Sequence, residues 1–166
     1  SFYDMLYRAN TKPSWRRLLG SPEADLHMKD MEFLLRGFAL LIKDEYKPSM
    51  VKFLNGFSKQ AQEYNAETVN YLESLFDSFL ESCSTLPNDA FQIRGRFSVM
   101  VFEAVFVAVC CVPYPDRNLV TGKTDERSVV QLKKDAEFVG ATQKGTASKE
   151  NVLTRLRRAQ EIIATQ

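Results

Sequence analysis

Residues 97–112 constrain this chain more than any other stretch, because Ser98 and Glu103 are the only polar side chains in sixteen positions. A run this rich in valine suits a buried strand as well as a buried helix. Length decides between them: the run is long for a strand, short for a membrane span, and stopped directly by Pro113. It predicts a core helix that offers apolar surface on nearly every side. Glu103 lies midway along it, and an unpartnered carboxylate there would be driven to its neutral form. Glu103 is therefore expected to be buried and paired, with Arg94, Arg96 and Arg36 as the candidate cations.

The remaining sequence supplies helices to cover that core. Residues 2–9 and 13–19 read as two short helices, the second opened by Pro13 and closed by Gly20. Over residues 28–43, Met28, Met31, Leu34, Leu35, Phe38, Leu41 and Ile42 recur at helical spacing, with Phe33 and Leu40 adding a second apolar flank. On a wheel of about 100° per residue, Lys29, Glu32, Arg36 and Lys43 form the one polar stripe, and it is fully ionic. Met50, Phe53, Leu54, Phe57, Ala61 and Tyr64 mark the next helix. Val69, Leu72, Leu75, Phe76, Phe79, Leu80 and Cys83 mark the one after, up to the break at Leu86-Pro87-Asn88-Asp89. Residues 113–127 hold two prolines and a glycine and read as a long loop or linker. Two amphipathic helices close the chain at 128–138 and 148–164, the last with Ser148 as N-cap. The expected fold is all-α, an irregular multi-helix bundle of about six to eight helices in one domain spanning residues 1–166.

Composition agrees with a real core: 12 Phe and 6 Tyr accompany Trp15, and 45% of residues are hydrophobic. The net charge of +1 is uneven, since residues 1–20 and 140–166 each carry +3 and the middle carries −5. The basic ends, with Arg16 and Arg17 at one and Arg155, Arg157 and Arg158 at the other, are candidate contacts to DNA phosphate or a partner protein. The bland alternative is a solvated helix face. The apolar side of the last helix is assigned to Val152, Leu153, Leu156, Ala159 and Ile163, which turns its arginines outward. Cys83, Cys110 and Cys111 lie in apolar helical pattern and read as core thiols. With no leader peptide and no spanning run, a cytoplasmic location without membrane contact is expected. Helical pattern starts directly at Ser1, so the chain is expected to be a piece of a longer protein.

Few motifs carry chemistry. Gly122-Lys123-Thr124 resembles the end of a phosphate-binding loop, but the glycine required five residues earlier is Arg117. His27 is the single histidine, which excludes multi-imidazole metal sites, and no glycine-flanked nucleophile surrounds a Ser or Cys. No catalytic residue, metal or cofactor is put forward. The ionic cluster Lys29, Glu32, Arg36, Arg94, Arg96 and Glu103 is the candidate site, either as an ion-pair network that sets helix register or as half of a composite site.

Residues 28–39 resemble the Met-Lys-Asp-x-Glu-x-x-Leu-Arg-x-x-Ala signature of a prokaryotic family, domain of unknown function 262, typified by the GmrSD modification-dependent restriction system of phage defence. Leu6-Tyr7-Arg8, Phe53-Leu54-Asn55, Ala90-Phe91, Phe102-Glu103-Ala104 and Gly145-Thr146 resemble further family pieces in the same order. The resemblance implies the helical C-terminal part of such a protein. Its chemistry-bearing ParB/sulfiredoxin-like α/β domain, with an Asp-Gly-Gln-Gln-Arg motif, and its His-Asn-His nuclease domain are not in this sequence. It thus implies a non-catalytic accessory domain that packs on an N-terminal α/β domain and helps hold DNA or a partner. The alternatives are a contribution to a composite NTPase or nuclease site and a helical scaffold or oligomerisation module.

Overall fold

Local signals set most helix ends. In the computed structural model, which describes residues 1–166, the chain runs through α1 (Phe2–Asn10), α2 (Pro13–Leu19), α3 (Lys29–Ile42), α4 (Met50–Gln62) and α5 (Ala66–Ser82). A short antiparallel hairpin of β1 (Gln92–Ile93) and β2 (Arg96–Phe97) follows, then α6 (Val99–Cys110), α7 (Glu126–Lys134), α8 (Ala136–Gly140) and α9 (Lys149–Ile162). The fold is all-α. Ser1, Ser49, Asn65, Ser98, Asp125, Asp135 and Ser148 each accept a backbone N–H of the following turn. They satisfy donors that a helix start otherwise leaves unpaired. Pro13 opens α2, and Gly20 closes it at φ 76°, where a side chain would be strained.

The apolar run is α6, and its flanks are buried together with its middle: Val101 through Val107, Val109 and Cys110 are all inaccessible. It packs chiefly on α3 and α9. Phe38 of α3 meets Phe106 at 5.4 Å between ring centroids, Phe79 of α5 meets it at 5.1 Å, and Trp15 of α2 meets Phe102 at 4.8 Å. Such edge and tilted contacts suit the ring quadrupoles. Gly37 lets α3 come this close, because a Cβ there would lie 3.2 Å from Phe106 and 3.3 Å from Phe102. One connected core of 39 buried residues takes in every helix, α8 through Phe138.

Three elements differ from the expected pattern. The predicted helix at 128–138 divides into α7 and α8, giving nine helices. Asp135 is the cause: its backbone is extended, and its carboxylate accepts from Phe138 N at 3.0 Å, so it starts a new helix. Residues 92–97 form the hairpin instead of leading straight into α6, with Arg94 and Gly95 both at positive φ in its two-residue turn. Residues 113–127 are an ordered strap. Its Asn118 carbonyl accepts from Tyr71 Oη at 2.8 Å, Val120 N donates to Ser78 Oγ at 3.0 Å, and Thr124 N donates to Ser82 O at 2.8 Å. Gln166 N donates to Lys123 O at 2.7 Å, so the chain end pairs with the strap. No helix is long and apolar enough to cross a membrane.

Asp135 also accepts from Arg158 of α9, at 3.0 Å from Nε and 2.7 Å from Nη2. That guanidinium, with the Phe138 amide, holds the Asp135 carboxyl down at about 2. A depressed carboxyl contributes stability above the unfolded value near 4, and the contribution is lost as pH falls through the folded value. The Phe138 amide resonance is therefore expected to titrate with a midpoint near pH 2, and Asp135→Asn to abolish that titration. A midpoint near 4 in the wild type would mean that the Arg158 contact is not formed.

Candidate functional site

Where the core helix meets α3 and α9, three charged side chains close on one point. Arg36, on the second turn of α3, donates from Nε to Glu103 Oε2 at 2.7 Å and from Nη2 to Oε1 at 2.9 Å, a two-pronged pair. Arg155 of α9 brings Nη2 to 3.7 Å from the same Oε1 and donates from Nη1 to Ala141 O at 2.7 Å. The side chains of Glu103 and Arg155 are 1% and 2% exposed, that of Arg36 16%. Burial opposes the charge on Arg36, but the carboxylate prevails and holds it above the ordinary guanidinium value. Burial wins at Arg155, which is pulled below its ordinary value despite Glu103. A buried and a partly buried cation share one carboxylate, and Arg155 Nη2 has no hydrogen-bond partner.

Glu103 is thus buried and paired as expected, with Arg36. Arg94 and Arg96 do not reach it: they stand exposed, Arg94 in the hairpin turn and Arg96 at the start of β2. Glu32 makes no ion pair with Arg36 one turn on, because Glu103 takes both prongs of that guanidinium. Lys29 and Glu32 are exposed, so the six residues of the predicted ionic cluster divide into a buried pair and four surface groups. The partner missed was Arg155. Within Arg155-Leu156-Arg157-Arg158 it occupies the inward stripe, three residues after Val152 and four before Ala159, both buried. That spacing was the available signal, and Leu153, assigned inward, is exposed.

The basic ends are corrected in the same way. Arg16 is buried and pairs with Asp30 at 2.7 Å, while its neighbour Trp15 donates to Asn10 Oδ1 at 3.1 Å. Burial would raise the Asp30 carboxyl, but Arg16 and the amides of Asp25 and Met31 hold it below its usual value. Arg17 donates to the carbonyls of Leu86 and Cys83, at 2.8 and 3.0 Å, tying α2 to the end of α5. Arg157 pairs with Glu137 at 2.6 Å and with Glu161, and Arg158 with Asp135 and Glu161. Of the five arginines read as contacts to DNA or a partner, Arg157 alone is half exposed, and two carboxylates neutralise it.

The phosphate-loop resemblance dissolves into local structure. Lys123 Nζ pairs with Glu81 at 2.6 Å and donates to Ser84 Oγ at 2.9 Å, and Thr124 is buried beside Ser82. Gly122 is packed against the Gln166 backbone, leaving no cradle for an anion. His27 is exposed in the loop before α3, and no group of three or more His, Cys, Asp or Glu side chains is placed to hold a metal. All three cysteines are free, with Cys83 and Cys110 buried.

An apolar face is open between α1, α3 and α4. Tyr3, Leu6 and Tyr7 of α1, Met31 and Leu35 of α3, and Met50, Val51 and Leu54 of α4 line a groove of about 420 Å³ in which Glu32 is the one charged residue. Val51 is 68% and Tyr7 52% exposed, unusual for large apolar groups on one surface. Fold and site together define an all-α bundle pinned by buried ion pairs and carrying an open apolar groove. Compared with protein families, curated proteins and solved structures, the chain matches none.

The triad makes a sharp energetic contrast. Glu103→Ala strands the buried guanidinium of Arg155 and the partly buried one of Arg36 and is expected to cost about 3–5 kcal/mol. Arg155→Met removes the poorly satisfied cation and restores apolar volume, so it should cost less than about 1 kcal/mol or stabilise. Urea unfolding of both variants measures this; a greater loss for Arg155→Met than for Glu103→Ala would reverse the assignment of the weak partner.

Proposed function

We propose that this chain is a non-catalytic helical accessory domain of a GmrSD-like phage-defence restriction protein, and that it docks on an α/β domain of the NTPase type. The open groove between α1, α3 and α4 carries this reading. A contiguous apolar face of this kind suits a protein partner, whereas a composite NTPase or nuclease site would call for a pocket lined by charged groups. Arg36 is drawn inward by Glu103, which leaves Lys29 and Lys43 as the other cations of the stripe. The resemblance of residues 28–39 to the family signature supports the choice of partner. Its acidic, basic and small positions Asp30, Arg36 and Ala39 serve packing and ion pairing here, which fits an accessory role. A hold on DNA, if the full protein has one, belongs to the partner domain, since the arginines of the two basic ends are engaged by this fold.

The test is co-elution of this chain with a separately expressed α/β domain bearing the Asp-Gly-Gln-Gln-Arg motif. Val51→Asp and Tyr7→Asp should abolish co-elution while leaving the melting temperature nearly unchanged, because both side chains are exposed. Self-association that is lost in these variants, without co-elution, would assign the groove to a second copy and turn the chain into an oligomerisation module.

Catalysis is the second measurement. The isolated chain with Mg²⁺ is expected to show no turnover of any NTP and no cleavage of DNA. Turnover that survives purification and disappears in Lys123→Ala would overturn the non-catalytic reading.

A further inference from the structure

Charge bookkeeping across the fold points to the hairpin. Arg8, Arg16, Arg36, Arg117, Arg155, Arg157 and Arg158 are ion-paired, Arg17 donates to backbone carbonyls, and Arg127 stands exposed on α7 with no second arginine beside it in the chain. Arg94 and Arg96, two residues apart and both exposed, have no carboxylate and no hydrogen-bond acceptor. They stand at the mouth of a groove of about 570 Å³ between the hairpin, the start of α6 and α8. Ile93, Phe97, Met100, Phe138 and Val139 form its apolar lining, with Ile93 and Val139 open to solvent. Lys133 of α7 adds a third cation, held by its own ammonium against Gln92 O at 3.2 Å. The carboxylates nearest in the chain do little to cancel this charge: Glu137 is taken by Arg157 at 2.6 Å, and Asp89 is exposed before the hairpin.

The turn itself is built at a conformational cost. Arg94 adopts φ 52° at the first central position of a two-residue hairpin turn, where Asn, Asp or Gly is the usual occupant. Arg94 makes no ion pair and no side-chain hydrogen bond within the fold, so its exposed guanidinium is free for a partner.

We infer that this groove binds an acidic protein segment that inserts an aliphatic or aromatic side chain between the hairpin and α8 while its flanking carboxylates meet Arg94 and Arg96. Two prongs on each guanidinium suit carboxylates, and an apolar pocket rimmed by cations suits an anchor residue with acidic neighbours. A single nucleic-acid strand fits less well. It needs exposed rings on which bases stack, whereas Phe138 is buried and Phe97 is half-buried against Phe33 at 5.1 Å and Trp15 at 5.9 Å. This surface is separate from the groove of α1, α3 and α4, so either reading can fail alone.

The test is an array of short synthetic peptides of varied composition probed with the intact chain, alongside a labelled single-stranded thymidine oligonucleotide. Retained peptides are expected to carry Asp or Glu on both sides of Phe, Leu, Ile or Trp, and retention is expected to weaken with salt. The double variant R94E/R96E should lower retention by about tenfold or more. Arg94→Asn separates this role from a structural one: it should raise the melting temperature by relaxing the turn, yet weaken retention. Absence of retained peptides, retention without acidic bias, retention unchanged in both variants, or tighter binding of the oligonucleotide would each overturn the inference.

Discussion

A carboxylate in the middle of an apolar helix has very few places to go, and the position of Glu103 governs how α6 is seated. Hydrophobic burial draws α6 into the bundle but scarcely distinguishes one rotation about its axis from another, because nearly every side of the helix is apolar. Rotation away from Arg36 would leave Glu103 bare in the core, at a cost of several kcal/mol. The ion pair thus selects one rotation among many that pack comparably. Gly37 acts in the same place, since the close approach it permits brings α3 near enough for Arg36 to span to α6. Arg155 adds the third helix, so one buried carboxylate orients α3, α6 and α9 together.

Arginine is used in this protein mainly as an internal fastener. Arg16 locks α2 to the entry of α3 through Asp30, Arg17 ties α2 to the end of α5, and Arg158 joins α9 to the α7–α8 corner through Asp135. Most are planar, multi-pronged contacts of the kind lysine could not reproduce. Among the grooves left on the surface, the one between the hairpin and α8 has two free arginines beside it.

How much of this was legible depended on whether a feature is local. Helix periodicity, the Pro13 and Gly20 ends and the Ser148 cap are short-range signals, and each reappears in the fold. Burial and pairing of Glu103 followed from its apolar surroundings alone. Its second cation did not, because Arg155 lies on a helix far along the chain and sits in a run that looks uniformly solvated. The same reasoning misjudged Arg16: nothing next to it in sequence shows that Asp30 folds back onto it. The hairpin escaped notice because Arg94-Gly95 is a weak turn signal beside Asn-Gly, and the α7–α8 break because one aspartate outweighed a continuous apolar pattern.

The thiols carry a consequence for how the domain meets its chemical environment. Burial pushes Cys83 up to about 12 and Cys110 well above its ordinary value, and half-buried Cys111 is raised as well. At Cys83 and Cys110 almost no thiolate exists to attack an oxidant, a disulfide or an alkylating reagent. Cys83 and Cys110 are therefore shielded from thiol exchange while the core is packed. The thiols of Cys83 and Cys110 become available only when α5 and α6 separate, so these two act as built-in reporters of opening: a reagent that labels either one is counting the molecules whose core has come apart.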